Sequence, residues 1–416
     1  MCWRTEGKTT GYRAALLGAA FLLSTAGGDG LGAQELPQEI VRLIETQAEN
    51  GGGDTDAMVE YFTELLDRPI DLSMADMATL EACPLFTPFM TVSLLEYRRE
   101  YGPVSSAAEL ALVDGFSPAV VELLQPFVTF GRVGSGGGQP RERKWYEKFS
   151  GKWTVRSKMD LERGGSFPDE GFPVPFYSRL RVDFGDRCSA GLTLENDRGE
   201  RDFPDFCSFF ISVQDLPLTR DGRFRLEAAV AGDFSLRFGQ GLVLWNSFSM
   251  SGLSSPSAAV RRDGAVRPYT SSDENNYFHG AAMTFGFPGG VRTSVFYSNN
   301  GADAAVEGEY FTSLPDDGLH DTDARRQGRD ALREEVAGGN VSWHNSWIKA
   351  GVTAAAYRYD RLDGRRTSYY NEHLRYDGWW GNASVDFLLS LKGVRVFGEA
   401  AADFGGAFAV IGGAVW

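Results

Sequence analysis

From Trp145 to Trp416, apolar and polar residues exchange places with a period of two, and this limits the chain more than any other feature it has. In the clearest stretch, Trp379, Gly381, Ala383, Val385, Phe387 and Leu389 alternate with Trp380, Asn382, Ser384 and Asp386. Past Leu391-Lys392-Gly393, the residues Val394, Val396, Gly398, Ala400 and Ala402 take one side, and Arg395, Glu399 and Asp403 the other. Successive side chains of a strand point to opposite faces, so the pattern predicts strands with one oily and one polar face. Similar segments recur near 152–162, 177–185, 189–197, 205–213, 222–231, 278–286, 291–299, 339–346 and 348–358. Short turns expected at Asp186-Arg187, Ala231-Gly232, Phe287-Pro288-Gly289-Gly290 and 391–393 interleave with long connections near 245–277, 300–338 and 359–375. Strands of about ten residues, with short turns at one end and long loops at the other, suit an antiparallel transmembrane β-barrel. Lipid then meets the apolar face, and the polar face lines an aqueous or filled interior. The same alternation also serves a soluble β-sandwich whose apolar face is turned inward, and that alternative stays open.

The first 33 residues read as an address. Arg4, Lys8 and Arg13 precede the apolar run Ala14–Leu23, and small residues lead on to Leu31-Gly32-Ala33. This is the grammar of a signal peptide, and the run is too short to cross a bilayer. No other stretch reaches the roughly 18 apolar residues of a membrane helix. An exported chain can form disulfides, and Cys188 and Cys207 can pair if they sit on neighbouring strands.

Residues 35–131 follow a different period. Ile40, Val41, Leu43 and Ile44, then Val59, Phe62, Leu65 and Leu66, recur at helical spacing, and five or six short helices are expected. Ser73-Met74-Ala75-Asp76 fits a capping box. Thr87-Pro88 supplies an N-cap with proline at the first helical position, and a helix through Leu94, Leu95 and Tyr97 stops at Gly102. The arrangement returns 30 residues later, where Leu110, Phe116, Ser117 and Pro118 answer Leu80, Phe86, Thr87 and Pro88. From Ile70-Asp71-Leu72-Ser73 through Leu95-Glu96-Tyr97-Arg98 to Val113-Asp114-Gly115-Phe116, the segment resembles the tandem helix-hairpin-helix domain of the competence DNA-receptor family. That family holds a phosphate on the backbone N–H groups of a Gly-hydrophobic-Gly hairpin. The resemblance implies nucleic-acid contacts at Leu85, Phe86 and Thr87 and at Gly115, Phe116 and Ser117, aided by Arg98 and Arg99. The first hairpin has lost both glycines and the second keeps one. Charge opposes DNA as the partner: residues 35–131 hold 17 acidic side chains against 4 basic ones, a net of −13, and phosphate binding needs local positive charge. The whole chain carries −15, which leaves residues 132–416 at only −3.

A Gly-rich linker, 132–144, ends in Arg141, Arg143 and Lys144 beside Trp145 and Tyr146. Beyond it, Gly232-Asp233-Phe234, Phe238-Gly239-Gln240-Gly241-Leu242 with Trp245, and Arg267-Pro268-Tyr269-Thr270-Ser271 with Asp273-Glu274-Asn275 resemble exported helix-hairpin-helix proteins of the Bacteroidota type. The resemblance implies the same two-part architecture. Members of that family continue beyond the point matching Trp416, so it also implies a barrel that lacks its last strands. Within these blocks, Gly239, Gln240 and Gly241 form a structural element in which glycine lets a strand bend or pack closely. Arg267 with Asp273 or Glu274 is the expected internal ion pair.

No catalytic pattern appears. The four histidines, His279, His320, His344 and His373, have no partner at metal-ligand spacing, and no nucleophile elbow, Walker loop or zinc-protease motif is present. The acidic residues Asp273, Glu274, Asp303, Asp316 and Asp317 read as solvated loop residues, and neither metal nor cofactor is expected. The expected fold class is α+β multidomain: a small all-α helix-hairpin-helix domain at 35–131, then an antiparallel transmembrane β-barrel, complete or incomplete, at 145–416. The expected function is that of a non-enzymatic outer-membrane envelope protein, a channel or an anchor. Its partners are membrane lipid and a periplasmic protein, with DNA binding or uptake, and a soluble secreted β-protein, as the alternatives.

Overall fold

A computed structural model gives the fold. It describes residues 36–131 with breaks at 50–54, 68, 76–78 and 81–82. It also describes residues 149–416, with breaks at 158–170, 173, 186, 247–259, 262–264, 272, 316–317, 346, 367–368, 370–376 and 392–393. The signal peptide, the glycine linker with its basic end, Asp316, Asp317 and His373 lie outside the described residues.

The N-terminal part is helical, as its period requires. Its helices are α1 (Gln38–Glu49), α2 (Thr55–Asp67), α3 (Pro88–Tyr101), α4 (Ala107–Leu110) and α5 (Pro118–Leu124), with a 3-10 turn at Gln125–Phe127. Helices α3 and α5 begin alike. The Thr87 hydroxyl accepts from the Met90 N–H at 3.2 Å and the Ser117 hydroxyl from the Val120 N–H at 3.4 Å, with proline next in each case. Gly102 ends α3 at φ +95°, where its N–H reaches the Arg98 carbonyl. The residues before the two caps, Phe86 and Phe116, are buried against each other edge to face, 6.2 Å between centroids. A short parallel pair, β1 (Ile70–Asp71) with β2 (Val128–Thr129), joins the segment after α2 to the end of this unit, an element that the helical period does not predict. The hydroxyl of Ser73 bonds Asp71 at 2.6 Å, while Asp76, its expected capping partner, falls outside the described residues.

The rest is one large antiparallel sheet with small additions. In chain order the strands are β3 (Phe149–Ser157), β4 (Phe176–Phe184), β5 (Cys188–Asn196), β6 (Phe206–Pro217), β7 (Arg225–Arg237), β8 (Ala265–Pro268), β9 (Phe278–Phe287), β10 (Val291–Ala302), β11 (Ala305–Glu307), β12 (Tyr310–Ser313), β13 (Leu332–His344), β14 (Ile348–Tyr359), β15 (Leu362–Asp363), β16 (Trp380–Leu391), β17 (Val394–Asp403) and β18 (Phe408–Val415). The main path runs β3-β4-β5-β6-β7-β9-β10-β13-β14-β16-β17-β18, up and down, with β8 added beside β7. Strands β11, β12 and β15 form a separate small sheet, and a six-residue helix α6 (Asp323–Gly328) lies in the loop between β12 and β13. Among the described residues β3 and β18 each pair on one side only, so hydrogen bonds do not close the sheet.

One expected turn is wrong. Ala231-Gly232 lies inside β7, and the chain reverses at 218–224 instead. Gly232 has φ +101°, and a Cβ there would sit 2.3 Å from the Phe209 carbonyl oxygen. The glycine serves a close backbone approach within the sheet rather than a reversal.

The burial of the two faces is inverted relative to a soluble sheet. Small polar residues are covered: Ser294, Thr284 and Thr353 are each 1% exposed. Their apolar neighbours in sequence, Val295, Met283 and Val352, are 48%, 42% and 53% exposed. The covered polar residues meet across the strands. Ser189 and Ser212 hydroxyls lie 2.7 Å apart, those of Thr284 and Ser294 2.8 Å apart, and the Asn340 amide donates to Thr353 at 3.0 Å. Exposed aromatics gather at the strand ends, with Phe149, Phe184, Phe287, Trp343 and Trp347 at the short-turn end.

The sheet also curls. In the ladder, β7 and β17 stand six strands apart, about 29 Å if the sheet were flat. The turn that follows β7 nonetheless touches β17, with Gln240 N–H and Leu242 N–H donating to Glu399 at 2.7 and 3.1 Å. The chain therefore crosses the space enclosed by the curved sheet. An apolar layer of Phe210, Val230, Phe296 and Ala355 receives Phe238 and Leu244 there.

Candidate functional site

The crossing segment is the first of two polar constellations. Continuing β7, the chain turns back on itself: Phe238 N–H donates to the Leu244 carbonyl at 3.3 Å and Asn246 N–H to the Leu236 carbonyl at 3.1 Å. Gly239 and Gly241 have φ +58° and +86°. A Cβ on Gly239 would stand 3.0 Å from the Glu399 carboxylate, so glycine is what lets the backbone reach that acid. Gln240 turns the other way, and its Oε1 accepts from Arg261 N–H at 3.0 Å. The Arg261 guanidinium lies over the Trp245 ring, 4.9 Å from its centroid. The sequence element Gly239-Gln240-Gly241 is thus a strap, held by Glu399 on one side and by the Arg261 segment on the other.

The second constellation lies at the long-loop end, outside the strands. His320, from the loop before α6, is 2% exposed. Its Nδ1 is 2.6 Å from Asp205 Oδ2 and its Nε2 2.7 Å from Asp303 Oδ2. Glu200 accepts the His320 backbone N–H at 3.1 Å and the Asp197 N–H at 2.6 Å. Glu274 Oε2 stands 3.8 Å from His320 Nδ1. Arg329 donates to Asp205 Oδ1 at 2.6 Å and also to the Asp205 backbone carbonyl. Glu200 and Asp205 are 1% and 2% exposed, and their carboxyls hydrogen-bond each other.

Electrostatics follow from this crowding. Burial pushes Glu274 up to about 9, with the negative charge of Asp205 adding to it. Burial likewise lifts Glu200 to about 7. For His320, burial favours the neutral ring, but hydrogen bonds to Asp205 and Asp303 prevail and push it up to about 10. Burial would raise Asp205 too, yet the His320 hydrogen bond and the Arg329 charge hold it below the ordinary carboxylate range. Protons therefore collect on His320, Glu274 and Glu200, and the charge of Asp205 is retained.

The sequence-derived sites fare unevenly. The hairpin residues come together, but Phe86 and Phe116 are buried, and the hydroxyls of Thr87 and Ser117 are committed to helix caps. Gly115 keeps φ +91° with Phe89 against it, while Leu85 packs on the core. Arg98 donates to the Ala75 carbonyl, and Arg99 is exposed. The ion pair expected for Arg267 is not formed with either acid among the described residues. Arg267 sits in β8 opposite Ser235, Asp273 accepts from Asn275 N–H and the Asn276 amide, and Glu274 faces His320. Cys188 and Cys207 do sit on neighbouring strands, but the register pairs them with Val213 and Leu194. That leaves the two cysteines about 20 Å apart along the ladder, beyond the reach of a disulfide.

The reading of the histidines as lone residues, and of Asp303 and Glu274 as solvated carboxylates, is corrected for this cluster. His279 likewise has a carboxylate partner, with Nδ1 2.6 Å from Asp233 Oδ1. No spacing rule finds either group: Glu200 and Asp205 share the loop between β5 and β6, whereas Glu274, Asp303 and His320 each come from another loop, and Asp233 and His279 lie on different strands. The one hint is the density of acids around His320 in its own loop.

No family model and no curated protein matches the chain. Among solved structures it is similar to one titled "Salmonella typhi OmpF complex with Daunomycin", at 11% identity and a TM-score of 0.25, covering 64% of this chain and 84% of that one. A likeness at that score carries no argument about this chain.

Proposed function

We propose that this chain is a non-enzymatic outer-membrane protein: a β-barrel that anchors a helical docking module in the periplasm. The inverted burial of the sheet carries this reading. Val295, Val352, Val385 and Ile211 are exposed on one face around the curve while serines and threonines beside them are covered. In water such a face costs roughly 25 cal/mol for each Å² of apolar surface left uncovered, and hydrocarbon removes that cost. Strand number supports it as well. Among the described residues the path has 12 strands, so β3 and β18 run in opposite directions and can pair antiparallel, as every other neighbour in it does. Closure is what lipid demands of backbone groups at both edges.

The strap crosses the interior and packs on its apolar layer, which favours an anchor over an open channel. Strand β3 starts at the short-turn end, so the helical unit enters from the side that faces the periplasm in barrels of this kind. We read that unit as a helix-hairpin-helix module that docks a protein, given its net charge of −13 and the commitment of Thr87, Ser117 and Arg98 to its own backbone. Both polar constellations tie loop to loop or loop to wall, which suits a structural role better than turnover.

Fractionation tests the reading. The chain is expected in the outer-membrane fraction, extractable only by detergent, and faster on a gel unheated than boiled. A chain that stays in solution without detergent as a monodisperse species refutes it.

A further inference from the structure

We propose that Glu200, Asp205 and His320 form a binding site for one divalent transition-metal ion, of the zinc or manganese class, which staples the long loops together. The site is built from loop residues, so it does not depend on whether the sheet lies in lipid. Three observations point to it. First, one donor atom from each of the three residues lies within 4.8 Å of the others, and all three side chains are buried. Carboxylate, carboxylate and imidazole make a donor set that borderline divalent ions accept. Second, the remaining ring nitrogen of His320 is held by Asp303 at 2.7 Å. A carboxylate behind a histidine fixes the ring and its tautomer, which is the usual outer partner of a metal-binding imidazole. Third, Asn196 is fully buried and its Oδ1 has no hydrogen-bond partner among the described residues. Asn196 is the last residue of β5, and Asp205 immediately precedes β6, the strand paired beside it. The Asn196 Oδ1 is a neutral oxygen with nothing else to bind.

Charge agrees. Glu200, Asp205, Glu274 and Asp303 bring four carboxyls to two cationic partners, His320 and Arg329. The acidic groups thus outnumber the basic ones around the candidate donors. On binding, the Nδ1 proton of His320 leaves for solvent, Nδ1 becomes a ligand and Nε2–H continues to donate to Asp303. Glu274, on the Nδ1 side, is placed to supply a further oxygen.

The test uses the full chain in detergent, stripped with a chelator and titrated with ZnCl2 and MnCl2 by calorimetry. One equivalent per chain is expected. His320→Gln and Glu200→Gln should abolish binding, Asp303→Asn should weaken it about 10- to 100-fold at unchanged stoichiometry, and Asn196→Ala should weaken it less. Because His320→Gln can fail to fold, CoCl2 added to the unmodified chain gives a reading that needs no variant. Weak visible bands without a sulfur charge-transfer band are expected, which separates this site from the cysteines. Absence of any bound equivalent, a cobalt spectrum with sulfur ligation, calcium-only binding, or equal affinity in a folded His320→Gln chain overturns the proposal.

Discussion

Replacing Glu399 by alanine removes the group that holds the strap across the interior. Its carboxylate is 3% exposed and accepts two backbone N–H groups, from Gln240 at 2.7 Å and Leu242 at 3.1 Å. A hydrogen bond to a charged acceptor contributes roughly 1.5–3 kcal/mol, so the pair is worth about 3 kcal/mol at the low end. At about 1.4 kcal/mol per factor of ten, the opened strap becomes about 100-fold more populated. Hydrogen exchange followed by mass spectrometry on peptides spanning 238–246 reads that population directly, because local opening limits exchange. The expected result is about 100-fold faster exchange in Glu399→Ala, a smaller effect in Glu399→Gln, and unchanged exchange in β13 and β14. Exchange in the strap within a factor of about three of the parent would refute the reasoning, since the strap would then be held by its own turn and the Arg261 segment.

Three further outcomes are expected. Val352→Arg, on the exposed face, should reduce assembly into the outer membrane, at a cost of about 2–4 kcal/mol near mid-bilayer, whereas the same change on a soluble face would be tolerated; heat-dependent gel mobility of the membrane fraction checks it. Val213→Cys should cross-link to Cys188 on mild oxidation while Cys207 stays out of reach, read as a reductant-sensitive shift in a protease fragment; a native 188–207 bridge would contradict the register. In the metal-free chain the loop cluster should loosen at alkaline pH. His320 is charged in the fold up to about 10, so its contribution is full below its ordinary 6.5 and is lost as pH rises through about 10. Glu274 is held protonated up to about 9 and changes stability in the same direction. Limited proteolysis between β12 and β13 should therefore accelerate from about pH 7 to 10, and His320→Gln should flatten that profile.

The period-two alternation is a local property, since each residue's face depends only on its parity along a strand. Most strands were therefore legible in the sequence, as was the face shared by Val385 and Phe387 against Ser384 and Asp386, although β7 runs through an expected turn and β13 starts at Leu332, inside an expected long connection. The caps at Thr87-Pro88 and Ser117-Pro118 were legible for the same reason, because capping involves residues three apart. Parity does not say which face is covered. Only the curvature that brings the turn after β7 against Glu399, 159 residues away in sequence, puts the polar face inside. The register likewise decided the cysteines, because a pairing offset of six residues leaves no trace in composition. His320 was the least legible of all. Its partners at 200, 205, 274 and 303 are far off along the chain, and a buried charge cluster is fixed by where folded loops meet rather than by any interval between its members.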